Sequence, residues 1–119
     1  MANEAKQRAV ELRAESYGVE SAAEKEALQA VYAYEEVLAK KNGRRTRATR
    51  TWQMITRHGV IEAMERAVKR DAETQGYTFL VEMGLEKYAF EAVILRHPDL
   101  FSEDAVTKAK ERLQQWREL

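Results

Sequence analysis

The run Tyr88-Ala89-Phe90-Glu91-Ala92-Val93-Ile94-Leu95 carries a single charged residue. No one face of a helix or strand can hide that much apolar surface, so the segment has to be enclosed by other elements, and the rest of the chain must supply them. Val93-Ile94-Leu95 alone favours a strand, but Glu86, Lys87, Ala89, Glu91 and Ala92 around it favour helix. A helix from Leu85 to Arg96 is expected, after a shorter one that begins near Tyr77 and turns at Gly84. Pro98 closes the segment, because the residue before a proline is pushed out of the helical region.

The enclosing elements read as helices too. From Asn3 to about Ser16, Ala5, Ala9, Leu12 and Ala14 outline a narrow stripe that Tyr17-Gly18 ends, so residues 1–20 are expected to form a loosely attached N-terminal helix. Ser21 with Glu24 is a capping box that starts a second helix at Ala22. Its stripe is Ala27, Leu28, Val31, Tyr34 and Leu38, and Asn42-Gly43 can adopt the left-handed conformation that ends it. A third helix is expected from about Thr46 to His58, with Ala48, Trp52 and Ile55 opposite Arg50 and Arg57 at 100° per residue.

Gly59 breaks that helix, and Val60, Ile61, Met64, Ala67 and Val68 outline a fourth to about Asp71, followed by a polar connection to Gly76. Ser102 with Glu103 and Asp104 starts the last helix, whose stripe is Val106, Ala109, Leu113 and Trp116. The fold class is therefore all-α: one compact helical domain over residues 1–119, of about six helices packed around a central apolar helix.

Composition limits the functions open to such a domain. With 45% apolar and 34% charged residues the chain is too apolar for disorder. The absence of cysteine removes disulfides, thiolate nucleophiles and cysteine-ligated zinc, and fits a reducing compartment. Neither a leader-like start nor a run of about 18 apolar residues is present, so a cytoplasmic protein without a membrane span is expected.

Charge is unevenly placed. Between Val37 and Ile61 there is no Asp or Glu, but Lys40, Lys41, Arg44, Arg45, Arg47, Arg50 and Arg57 fall there, with His58. These are seven of 20 basic residues, which leaves 13 against all 20 acidic ones elsewhere. Net zero thus conceals one basic surface on an acidic background. One reading is ordinary solvation, with Lys40 and Lys41 at a helix end where cations are favoured. The other starts from Arg44 and Arg45 ahead of a helix whose own start is already positive, which is unfavourable unless something negative binds. Phosphate fits: arginine forks grip its oxygens in pairs, and Thr46, Thr49 and Thr51 add hydroxyls. Lys40, Lys41, Arg44, Arg45, Arg47, Arg50 and Arg57 are accordingly the candidate nucleic-acid-binding residues, DNA or RNA, with Arg44, Arg45, Arg47 and Arg50 at the centre.

The stretch from the third helix through Gly59-Val60 to Val68 resembles a helix-turn-helix over about twenty residues. It departs from that motif at Ile55, where a small residue is usual, and at Glu65, where an apolar one is. The resemblance implies DNA contact, and these departures favour backbone contact over sequence reading. A protein-interaction or inhibitor module, or a homodimer, is the rival, with the same arginines docked on an acidic partner.

Other candidates are isolated. His58, Glu62 and His97 could in principle converge on a metal, but a helix-terminal histidine is the commoner case. Glu91 is either a structural ion pair or helix-cap acceptor, or a functional carboxylate beside Tyr88 or His58, because a buried carboxylate needs a partner or a proton. With no Gly-rich phosphate loop and with Ser16, Ser21 and Ser102 at helix ends, no catalytic residue, metal site or cofactor is expected. Among the aromatic residues, Tyr32 is the one expected to be exposed.

Overall fold

In the computed structural model, which describes residues 2–16, 21–70 and 74–118, local chemistry sets most helix boundaries. The helices are α1 (Ala2–Ser16), α2 (Ala22–Asn42), α3 (Thr49–His58), α4 (Val60–Lys69), α5 (Thr74–Glu82), α6 (Phe90–Arg96) and α7 (Glu103–Arg117), with 3-10 turns at Glu86–Tyr88 and Pro98–Leu100. There is no strand among the described residues. Ser21 caps the start of α2: its Oγ accepts the Glu24 N–H at 3.1 Å, while Glu24 Oε1 accepts the Ser21 hydroxyl at 3.0 Å in place of the backbone N–H that a full capping box engages. Ser102 Oγ likewise accepts the Ala105 N–H at 3.2 Å and starts α7. Gly43, at φ 70° and ψ 16°, ends α2 in the left-handed conformation. The expected helix end at Tyr17-Gly18 and residues 71–73 of the expected polar connection lie outside the described residues, and α5 begins at Thr74, inside the stretch expected to be connection up to Gly76.

The apolar run that organises the sequence is central in space. Tyr88, Ala89, Glu91, Ala92, Val93 and Ile94 are all buried. It is not one helix, however, as α6 begins only at Phe90. Ala89, at φ −58° and ψ 142°, interrupts the helical ladder, and its N–H closes the 3-10 turn on the Glu86 carbonyl. The break has uses that a continuous helix would forfeit. It lets the Tyr88 hydroxyl donate to Glu11 Oε2 on α1 at 2.6 Å, and leaves the Lys87 carbonyl for Arg96 Nη2 at 2.8 Å. Burial, reinforced by Glu11, pushes the Tyr88 hydroxyl well above the ordinary tyrosine range.

Two apolar clusters meet along α2. One joins Leu28 and Val31 to Ile55, Met64, Val68 and Ile94. The other joins Ala33 and Val37 to Val10, Leu80, Leu85 and Leu113. The Cα radius of gyration, 13.3 Å, matches the roughly 13–14 Å of a folded chain this long. On α1 the stripe is offset from the expected one. Val10 and Ala14 are fully buried, Ala5 is exposed, and Leu12 is 47% exposed. Ionic contacts from Lys6 and Arg13 to Glu36, 3.6 Å each, accompany that packing on α2.

Gly59 alone separates α3 from α4, at φ 86° and ψ 163°, a region essentially closed to side-chain-bearing residues. A Cβ there would meet nothing within 4 Å, and the same holds at Gly76 in α5, whose φ is ordinary. The same substitution should therefore have opposite signs. Gly59→Ala should destabilise by about 1–3 kcal/mol and Gly76→Ala should stabilise by about 0.5–1 kcal/mol, both read from urea unfolding midpoints.

Candidate functional site

The basic stretch begins in a loop that is ordered by its own polar groups. Thr46 Oγ1 donates to the Arg44 carbonyl at 3.0 Å and accepts from Asn42 Nδ2 at 3.2 Å. The third helix starts at Thr49 rather than Thr46, and the cause is tertiary. Glu35 Oε2 on α2 accepts both the Ala48 N–H and the Trp52 Nε1–H, each at 2.8 Å. One carboxylate thus caps the positive start of α3 from outside and anchors its tryptophan. The negative group that the sequence asked for at this helix start is present inside the molecule.

The seven basic side chains then divide by environment. Lys40 pairs with Glu82 at 2.7 Å and lies over the Phe79 ring at 5.5 Å. Lys41 is exposed and borders a cavity described below. Arg47 stacks on Trp52 with its guanidinium carbon 5.1 Å from the ring centroid, while Tyr32 packs on the same indole at 5.2 Å. Arg44, Arg45, Arg50 and Arg57 are exposed, and among the described residues none of their guanidinium groups has an ion-pair or hydrogen-bond partner. Of the three threonines only Thr49 is exposed and free of the loop's own bonding. Thr46 is engaged as above and Thr51 is buried. A shallow groove of about 340 Å³ on α3 is bordered by Arg47, Thr49, Trp52, Gln53, Thr56 and Arg57.

The helix-turn-helix resemblance weakens at two points. The motif joins its helices by a turn of about three to four residues, whereas Gly59 is a one-residue joint. The outward side of α4 is closed by ion pairs within the helix, Glu62 with Arg66 at 3.3 Å and Glu65 with Lys69 at 3.4 Å. Glu65 also accepts the Ser102 N–H at 2.7 Å, and that bond leads the effects holding its carboxyl below the usual range. An acid so occupied reads no base.

The histidines do not converge. His58 Nδ1 approaches Glu62 at 3.9 Å. His97 Nε2 instead meets Glu26 Oε2 at 2.5 Å, beside Arg96 Nε on Glu26 Oε1 at 2.6 Å. Among the described residues no three metal-ligating side chains gather.

Glu91 is buried, 6% exposed, and has partners inside the fold. It sits in the first turn of α6, where its carboxylate accepts its own backbone N–H, and Arg112 Nη1 lies 3.4 Å from Oε2. Arg112 also donates to the carbonyls of Val68 and Arg70 at the end of α4. Beside this pair opens a cavity of about 360 Å³ bordered by residues of α2, α3, α4, α5, α6 and α7. Tyr34 borders it and is 37% exposed. Tyr32, the tyrosine expected at the surface, is instead partly buried against Trp52. The cavity and Glu35 were missed from sequence because each depends on residues from separate helices.

No protein-family model, curated protein or solved structure matches the chain. No described helix is long and apolar enough to cross a membrane.

Two consequences are measurable. Burial holds the Glu91 carboxyl above its ordinary value of 4.5, against the opposing pull of its own N–H and Arg112. The folded protein therefore binds this proton more tightly than the unfolded chain, and the resulting stabilisation is lost as pH rises through the raised value. Glu26 is the reverse: burial resists its ionisation, but the bonds from His97 and Arg96 prevail and lower it, so its contribution is lost as pH falls. Glu91→Gln should accordingly gain in urea midpoint relative to wild type between about pH 4 and about pH 7; a relative loss would contradict the raised value. Arg112→Leu, which leaves a buried carboxylate unpaired, should destabilise by about 3–5 kcal/mol in the same assay.

Proposed function

We propose that the surface from Lys40 to Arg57 binds nucleic acid, in the cytoplasm, through its phosphate backbone. The observation that carries this reading is the group Arg44, Arg45, Arg50 and Arg57: exposed guanidinium groups with no internal partner among the described residues, set on a loop and helix held in place by Glu35. A fixed fork of donors suits phosphate oxygens, and a rigid support reduces the ordering cost of binding. The paired acids on α4 and the stacked face of Trp52 favour contact with the backbone over contact with base edges.

The acidic remainder of the chain supports the same reading. With 13 basic against 20 acidic residues, it is negative on balance and so orients the approach of a polyanion.

Equilibrium binding of labelled duplex and single-stranded DNA and RNA, across a salt series, tests this. Binding should weaken steeply with salt. Arg44→Ala with Arg45→Ala should make the logarithmic slope shallower by about 1.4–1.8, the value for two lost phosphate contacts. Lys40→Ala, which removes a side chain already paired with Glu82, should leave the slope nearly unchanged. Absence of binding at low salt would overturn the reading and redirect the arginines to an acidic protein partner.

A further inference from the structure

The cavity beside Glu91 is not used by a backbone-binding surface, yet it has the dimensions and chemistry of a ligand site. Its volume, about 360 Å³, lies within the roughly 300–1,000 Å³ of small-molecule pockets. Aromatic rings form much of its wall. Tyr34 and Phe90 meet at 5.9 Å between centroids, Trp116 is stacked on Tyr77 at 5.2 Å, and Phe79 completes that side. Such walls suit a flat ring.

Two polar features select among flat rings. Glu91 borders the cavity. Of the about four lone-pair positions of a carboxylate, its own N–H and Arg112 engage two, so it can still accept N–H donors. Because Arg112 already balances its charge, the site does not call for a cation. The second feature is Arg70, which also borders the cavity and is exposed. Its Nη2 contacts Met54 Sδ at 3.6 Å, and it has no carboxylate partner among the described residues. Met54 borders the cavity as well. A cation at this edge disfavours an amine and favours an anion.

The geometry points to a nucleotide site: a base held between Tyr34, Phe90 and Trp116 with its N–H edge on Glu91, and its phosphate at Arg70. Guanine suits the carboxylate best, since it offers two adjacent N–H donors where adenine offers a donor beside an acceptor. A free mononucleotide and the terminal nucleotide of a strand share this chemistry. The site stands apart from the backbone reading, because Arg44 and Arg45 take no part in it.

The test uses the full chain labelled with ¹⁵N, whose two tryptophans give two indole N–H signals, assigned with Trp116→Phe. Guanosine monophosphate should shift the Trp116 signal saturably. Guanosine and adenosine monophosphate should each bind about tenfold more weakly, the effect of losing a charge-assisted or paired hydrogen bond, and inorganic phosphate should leave Trp116 unmoved. Arg70→Gln, at an exposed position, should bring the nucleotide down to the affinity of the nucleoside. Ala67→Leu, which fills the wall, should abolish the shift while its spectrum stays dispersed. A short 5′-phosphorylated oligonucleotide that binds Trp116 more tightly than the mononucleotide, and loses the advantage in Arg44→Ala with Arg45→Ala, marks a strand end as the ligand; equal affinity marks the free nucleotide. No saturable Trp116 shift with any nucleotide at millimolar concentration, or equal affinity in wild type and Arg70→Gln, would overturn the site without touching salt-dependent binding at Arg44 and Arg45.

Discussion

Arg112 ties three helices of the fold to one another through a single side chain. From α7 it reaches the carbonyls of Val68 and Arg70, where α4 ends, and the carboxylate of Glu91, where α6 begins. The end of one helix is partly negative and the start of the other partly positive. A cation on the first and an anion on the second, bonded to each other, satisfy both dipoles at once. Taking two charges out of water costs several kcal/mol per ion, so such a pair is weak ground for added stability. What the pair does show is a shared arrangement: in this placement of α4, α6 and α7 neither ion is left stranded. The break at Ala89 belongs to the same arrangement, since it lets a helix start where Glu91 is needed.

Glu35 plays the corresponding role for α3. Positive charge gathered ahead of a helix start is unfavourable in isolation, and the capping carboxylate from α2 relieves it through two bonds at 2.8 Å. That relief removes one argument for an external anion and supplies another. With the helix start and Trp52 pinned, Arg47 is stacked in place, and the proposed phosphate contact would order side chains on a support already in position.

What the sequence made legible follows a simple division. Helix starts at Ser21 and Ser102, the left-handed end at Gly43, the burial of Tyr88 to Ile94 and the separation of Ile55 from Arg50 and Arg57 all depend on residues within a turn or two of each other. Local chemistry decides them, and they were readable. Among the features that were not, the late start of α3 depends on Glu35, 13 positions before Ala48, and the capping of α4 depends on Arg112, 44 positions after Val68. The Tyr32 and Tyr34 assignments inverted for the same reason. Helical spacing gives the angle of a side chain about its axis, and whether that angle meets protein or a cavity is decided by the helices that pack there.

The placement of α3 ties the two candidate surfaces together physically. Its outward side carries Arg50 and Arg57, and its inward side carries Thr51 and Ile55, with Met54 between them at the cavity edge. A ten-residue helix held at one end by Glu35 and joined at the other to α4 through a single glycine has little freedom to move one side without the other. The same short element therefore carries the exposed arginines on one side and borders the cavity with the other, and no Asp or Glu falls in the stretch from Val37 to Ile61 that contains it.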